Sequence, residues 1–375
     1  MERKKFFGFT WNEILGRLVV VVAFFIFSAN SCEQVNNPPA KTSAYWTSPT
    51  MGIEQAKALA RHDLVIVDME NAINNPAALK LMKNLNRDLK LICYSNPMEF
   101  FYPMTANRPI QKRWFQEVLS NYPKWFLKNG NGENTVFWPG MVMMNLSSAC
   151  PTYNGIQYKD WMTDKLLKEV LNNSVWDGYF MDNGGGNISW VQNNKSSQFD
   201  INGDGLANEA YVIDNYWAEG IYSFFSRIRQ VRGKNFIIMA NKGSLEFLDL
   251  LDGRMFEAFP NDYLGDTEAF GWYQSMYNAE EMQKAGLKYI IFQVPPYHLE
   301  FGFASSMLLD NAYIAISQDN PVFPPLLEIN LGKPIDKATA GMQTIFRHFE
   351  NGSVEVMPGS RFGKISPLGP ALSLN

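Results

Sequence analysis

Along most of the chain, short apolar runs alternate with longer amphipathic ones, and this alternation restricts the fold more than any other feature. The short runs occupy residues 44–47, 64–69, 89–95, 141–146, 178–182, 236–240, 254–259 and 289–294. There are eight of them, and several are apolar almost throughout, as parallel strands covered on both faces must be. The intervening segments have helical spacing. Asn75-Pro76 marks a helix start, after which Leu79, Met82 and Leu85 share a face, and Pro109 opens a second helix over 108–119. Met162, Leu166 and Val170 recur four residues apart within 159–171, and Trp217, Ile221, Phe224 and Ile228 lie together within 215–231. Helical segments at 268–285 and 303–316 follow the last two strands. This order predicts an α/β protein, a (β/α)8 TIM barrel. An open doubly wound sheet is the weaker fit, because no glycine-rich dinucleotide turn follows any strand.

The pattern breaks after residue 317. Pro321, Pro324 and Pro325 lead into strand-like pieces at 342–349 and 353–357, with Asn351-Gly352 as hairpin turn, so 318–375 is expected to be a small C-terminal β extension. At the other end a basic start precedes the apolar run LVVVVAFFIF at 18–27, then Ser28, Ala29, Asn30, Ser31 and Cys32. This resembles a bacterial lipoprotein signal, which implies lipidation of Cys32. Ala29 departs from the usual Leu, and simple cleavage or a retained anchor are the alternatives. Residues 33–43 then form a polar, proline-containing tether, and 44–317 the barrel. The expected location is outside the cytoplasm, as a lipoprotein held at the outer membrane or cell surface. Cys93 and Cys150 remain, either as a disulfide or as two buried thiols. The chain has 375 residues, 46% of them apolar, and a net charge of −4, enough for one large core. It has no basic run beyond its N-terminus, which argues against nucleic acid as a partner; a monomer is expected.

In such a barrel the C-terminal strand ends form the working face. The run VWDGYFMDN at 175–183 ends in Asp182, and Gly184, Gly185 and Gly186 follow, a backbone that lets a ligand come close. Glu257 sits in RMFEAFP, where an acid is costly unless it faces a polar cavity or a partner. An Asp and a Glu on one rim are the minimum equipment for glycoside hydrolysis: one carboxyl donates a proton to the leaving oxygen while the other, ionised, attacks or activates water. Glu257, flanked by Met255, Phe256 and Phe259, suits the acid, and Asp182 the ionised partner. The bland alternatives are a turn-capping Asp182 and a Glu257 paired with Arg254 or Lys242. Trp46, Asp68, Tyr94, Asn96, Asn145, Asn183, Asn241 and Gln293 are the candidate substrate contacts, and Glu70 is a further rim acid.

WDGYFMDN, DINGDGLANE, the strand IIMAN ending in Asn241 and the acid-bearing LDGRMFEAFP together resemble the glycosyl-hydrolase-like TIM barrels related to the polygalactosaminidases. The closing FRHFENGSVEV is similar to the last strand of several such barrels. The resemblance implies a barrel hydrolase with Asp182 and Glu257 as its catalytic pair and a glycan as its substrate. The sequence departs from the commoner pattern at GGGN, 184–187, beside that pair. In DINGDGLANE, Asp200, Asn202 and Asp204 before Gly205 match the first half of a calcium loop, but the twelfth position is Tyr211. A structural calcium and an Asx-bonded turn both remain open, and no cofactor is required. His62, His298 and His348 are too scattered for a zinc site. The rival class is a glycan-binding surface lipoprotein with the same rim and no turnover.

Overall fold

The computed structural model describes residues 41–101, 107–195, 198–260, 268–317, 319–341 and 343–368. The expected signal segment with Cys32, and the expected tether up to residue 40, lie outside the described residues.

Eight parallel strands close into a barrel in which each is paired with its neighbours in the sequence of barrel strands: β1 (Lys41–Trp46), β2 (Leu64–Asp68), β3 (Lys90–Ser95), β4 (Gly178–Met181), β5 (Ile237–Asn241), β6 (Gly253–Phe256), β7 (Tyr289–Val294) and β8 (Ala312–Ile316). Every second side chain of a strand faces inward. Tyr45, Leu64, Ile66, Ile92, Phe180, Ile237, Met239, Met255, Ile291, Tyr313 and Ala315 therefore meet in one buried apolar plug that fills the barrel. The alternate residues, among them Val65, Val67, Leu91 and Ile238, face outward and pack with helix residues Leu79, Met82, Trp114, Trp217 and Phe224. Burial on both faces is why these strands are apolar throughout, and each such side chain contributes about 1.5 to 3 kcal/mol.

Two of the expected elements are corrected. The run at 141–146 is not a barrel strand: Met141–Met143 pairs antiparallel with Glu99–Phe101 in a two-stranded excursion between β3 and β4. The eighth strand is Ala312–Ile316, inside the segment expected to be helical at 303–316; the helix there is Leu299–Met307. Apart from Glu300, helix and strand are both buried, so no polar face distinguishes one from the other by its period. β1 also begins at Lys41, three residues before the expected edge of the tether.

The C-terminal extension is a four-stranded antiparallel sheet, Thr339–Ala340, Ile345–Phe349, Gly352–Met357 and Phe362–Pro367, two strands more than the hairpin expected. Val354, Val356 and Ile365 on its inner face share a cluster with Leu299, Phe301 and Phe303 of the helix between β7 and β8. Arg347 donates to the carbonyl of Met307 at 3.2 Å and to Asp310 at 2.5 Å, which ties the sheet to that helix end. Cys93 and Cys150 are both buried free thiols. Among the described residues no helix is long and apolar enough to cross a membrane.

Candidate active site

The alternation that builds the plug also builds the layer above it. Two residues beyond inward-facing Phe180, Met239 and Met255 stand Asp182, Asn241 and Glu257, which therefore point into the C-terminal mouth of the barrel. Strand register sets their order: Met181 lies opposite Ala240, so Asp182 follows level with Asn241, and Asn241 lies opposite Met255, so Glu257 stands one inward step further along. The pair thus belongs to the fourth and sixth barrel strands, separated by β5, rather than to the fifth and seventh as the sequence count gave. By the same step Ile66, Ile92 and Ile291 are followed inward by Asp68, Tyr94 and Gln293.

Asn241 joins the two acids. Its Nδ2 donates to Asp182 Oδ1 at 3.0 Å and to Glu257 Oε2 at 2.6 Å. Together these two bonds cap the separation of the carboxylate oxygens at 5.6 Å. Asp182 receives two further donors, the hydroxyl of Tyr94 at 2.8 Å and the backbone N–H of Asn183 at 2.9 Å. Burial, reinforced by the charge of Asp182 and opposed by the Asn241 hydrogen bond, holds the Glu257 carboxyl above the usual carboxylate range. Burial and the same Asp182 charge push the Tyr94 hydroxyl well up, so it stays a donor. Tyr45 lies against it, with ring centroids 5.6 Å apart.

The backbone turns sharply directly after each of these three residues. Asn183, Lys242 and Ala258 have φ of 52°, 78° and 54°, the left-handed region that side chains other than glycine seldom adopt. Each strained amide is held: Asn183 N–H by Asp182, Lys242 N–H by the Asn241 side-chain oxygen at 2.8 Å, and Ala258 N–H by Gln293 Oε1 at 3.3 Å. Strain of this kind costs about 1 to 3 kcal/mol per residue and persists where the surroundings over-determine it, as they do here. Arg254 supplies much of that support. Fully buried on β6, it donates to the carbonyls of Gly184, Asn241, Lys242 and Glu246 at 3.1, 3.1, 3.3 and 2.6 Å, so one guanidinium staples the loops after β4 and β5. Its bonds run to those carbonyls and not to Glu257, which answers the alternative of an Arg254–Glu257 salt bridge. Lys242 Nζ is engaged with Asn187.

The remaining sequence candidates divide. Asp68 is in the rim layer, fully buried, but its carboxylate is taken up by Arg108 at 2.9 Å and by the N–H of Glu70. Glu70 accepts the first backbone amides of the helix Pro109–Asn121, from Ile110 and Gln111, and so acts as a helix cap. Burial raises it to about 7. Asn96 lies just past β3 and donates to Glu99 at 3.2 Å. Asn183 contributes its backbone. Trp46 packs outside the barrel with its indole N–H on the carbonyl of Thr50, and Asn145 is buried in the excursion, bonded to Ile201 and Ser147. Neither is brought to the site. Around Asp200 the carboxylate accepts the backbone N–H groups of Gly203, Asp204 and Gly205, and Asn202 donates to Asp204. Among the described residues no group of three or more His, Cys, Asp or Glu is gathered for a metal ion.

Sequence reasoning missed Glu99. Buried at the start of the excursion, it is raised to about 7 by burial and by the neighbouring Asp182 charge. An acid four residues past the end of β3 was the available signal. A groove of about 920 Å3 lies elsewhere, on the outer helical layer beside Trp161 and Arg227. Its acids Asp160, Asp164 and Glu169 are already ion-paired with lysines, so it offers no comparable chemistry.

No curated protein matches the chain. Solved structures that resemble it include a noncanonic maltogenic α-amylase from Thermotoga neapolitana, at 10% identity and TM-score 0.47, over 86% of each chain. A cycloalternan-degrading enzyme from Trueperella pyogenes matches at 12% identity and TM-score 0.47, over 78% of this chain and 45% of that one. An α-N-acetylgalactosaminidase from Bifidobacterium bifidum matches at 9% identity and TM-score 0.47, over 88% of this chain and 58% of that one. Likeness at this level says nothing about substrate. The sequence itself matches a family profile over residues 83–353, the greater part of the chain and the whole stretch that carries Asp182, Asn241 and Glu257: the protein belongs to hypothetical glycosyl hydrolase family 15.

Proposed function

We propose that the protein is a retaining glycoside hydrolase in which Asp182 is the nucleophile and Glu257 the general acid and base. The observation that carries this is the shared amide of Asn241, which fixes the two carboxylates within 5.6 Å at their nearest oxygens. Retaining enzymes hold their carboxyls about 5 to 5.5 Å apart, whereas inverting ones need about 6.5 to 9.5 Å to admit a water.

In the first step Asp182 attacks the anomeric carbon while Glu257 gives its proton to the departing glycosidic oxygen, leaving a glycosyl ester on Asp182 and an ionised Glu257. In the second, Glu257 takes a proton from water as the water oxygen displaces Asp182 from the anomeric carbon; both groups return to their starting states. The raised Glu257 suits the first role, because an acid must still hold its proton when substrate arrives. Tyr94 and Asn241 aim Asp182 and stabilise its charge as it leaves.

The test is release of reducing ends from a panel of neutral, basic and acidic glycans by the wild type and by Asp182→Asn. Turnover should fall on the order of a thousandfold or more in the variant while glycan binding persists. Binding without turnover by the wild type would instead leave the barrel as a glycan-binding scaffold. The apolar run at 18–27 followed by Cys32 supports placement outside the cytoplasm on a lipid anchor, and incorporation of labelled fatty acid that Cys32→Ala abolishes would check it.

A further inference from the structure

The excursion between β3 and β4 brings aromatic rings toward the site. Trp138 is 55% exposed, and its backbone N–H donates to Glu99 at 3.3 Å. Glu99 is only 4% exposed, also accepts Asn96 Nδ2 and the N–H of Phe137, and stands close enough to Asp182 to feel its charge. The turn at 137–138 is therefore tied to a carboxyl that neighbours the nucleophile.

A second chain of contacts reaches the same turn from the loop after β4. Trp190 lies just after the glycine loop that follows Asp182, and its indole N–H donates to the carbonyl of Asn187 at 3.2 Å. The Asn187 side chain accepts Lys242 Nζ, and the Lys242 backbone is held by Asn241. Phe137 joins the two chains: its ring is 5.1 Å from Trp138 and 4.9 Å from Trp190, edge to face in both cases. Three rings thus form one row between the loops that flank Asp182.

An exposed indole leaves a wide apolar face in water, and a pyranose offers a matching face of C–H groups with hydroxyls at its edge. We propose that Trp138, backed by Phe137 and Trp190, is a sugar-stacking subsite beside the point of cleavage, for a pyranose that carries no acidic group. The restriction comes from charge. Asp182, Glu257 and Glu99 place three carboxyls at this end of the barrel, whereas Arg108 is paired with Asp68, Arg254 with backbone carbonyls and Lys242 with Asn187. A uronate would meet the ionised Asp182, while the side-chain nitrogens of the nearby cations are already hydrogen-bonded to other groups.

The subsite rests on the hydrolase reading, and its test keeps the two apart. The full chain carrying Asp182→Asn, which stops turnover, is run through native gels containing dextran, glycol chitosan or polygalacturonate. Retardation is expected with dextran or glycol chitosan and not with polygalacturonate. Adding Trp138→Ala should weaken the retarding interaction about tenfold, and Trp138→Tyr, which keeps a flat ring, should restore most of it. Retardation unchanged by Trp138→Ala, strongest on polygalacturonate, or absent from every gel overturns the subsite. The hydrolase reading stands or falls separately, on reducing ends released by the wild type.

Discussion

Replacing Asn241 with alanine removes a side chain that touches both acids. The lost bonds are 3.0 Å to Asp182 and 2.6 Å to Glu257, and hydrogen bonds to charged groups contribute about 1.5 to 3 kcal/mol each. Water entering the space restores part of that, so a net loss of about 3 kcal/mol in the transition state is expected, or on the order of a hundredfold in kcat/KM. The pH profile adds a sign. The Asn241 bond is the influence that pulls Glu257 down against burial and the Asp182 charge, so its removal lets Glu257 hold its proton to higher pH. The basic limb of kcat/KM, set by loss of the acid's proton, should move upward. The assay is kcat/KM against pH on a glycan that the wild type cleaves, with thermal melting to show that the barrel remains folded. An undiminished rate, or a basic limb displaced to lower pH, would refute the bridging role.

Three further outcomes follow from single residues. Tyr94→Phe deletes one of three donors to Asp182 and should lower kcat about tenfold or more, with little change in KM, because the bond stabilises the departing carboxylate rather than bound sugar. His62 is 2% exposed, neither ring nitrogen has a partner among the described residues, and burial lowers it to about 4. The unfolded chain therefore binds the extra proton between about pH 6.5 and 4, stability falls by about 3 kcal/mol as pH drops through that window, and His62→Phe should flatten this slope in urea titrations. Ala258→Gly relieves a left-handed backbone and should raise stability by up to about 1 kcal/mol, read as a higher urea midpoint at unchanged slope; a lower midpoint would show that the strain at 258 is absent.

Strand parity explains what could be seen in advance. Asp68, Tyr94, Asp182, Asn241, Glu257 and Gln293 each stand two places beyond an inward apolar residue, so one period-two rule carries all six to the mouth of the barrel. Trp46 fails the same rule: it follows inward Tyr45 and so faces the helices. Asn145 was misplaced because the apolar run before it has strand composition but pairs locally with Glu99–Phe101. Partner choice depends on loop closure, which a run of methionines and valines does not encode. Glu99 escaped notice for the same reason, since only the excursion's folding turns it toward Asp182. The Arg254 staple was equally hidden, its acceptors being four backbone carbonyls on two loops.

The roles of the two acids can be separated by chemical rescue with azide, using aryl glycosides of the sugar that the wild type releases. A retaining enzyme that loses its acid and base in Glu257→Ala still forms the glycosyl ester on Asp182, and azide should restore turnover and give a glycosyl azide of the starting anomeric configuration. In Asp182→Ala the small anion would take the place of the nucleophile and give the opposite anomer. No rescue in either variant, or the starting configuration from Asp182→Ala, would contradict the assignment of nucleophile to β4 and acid to β6.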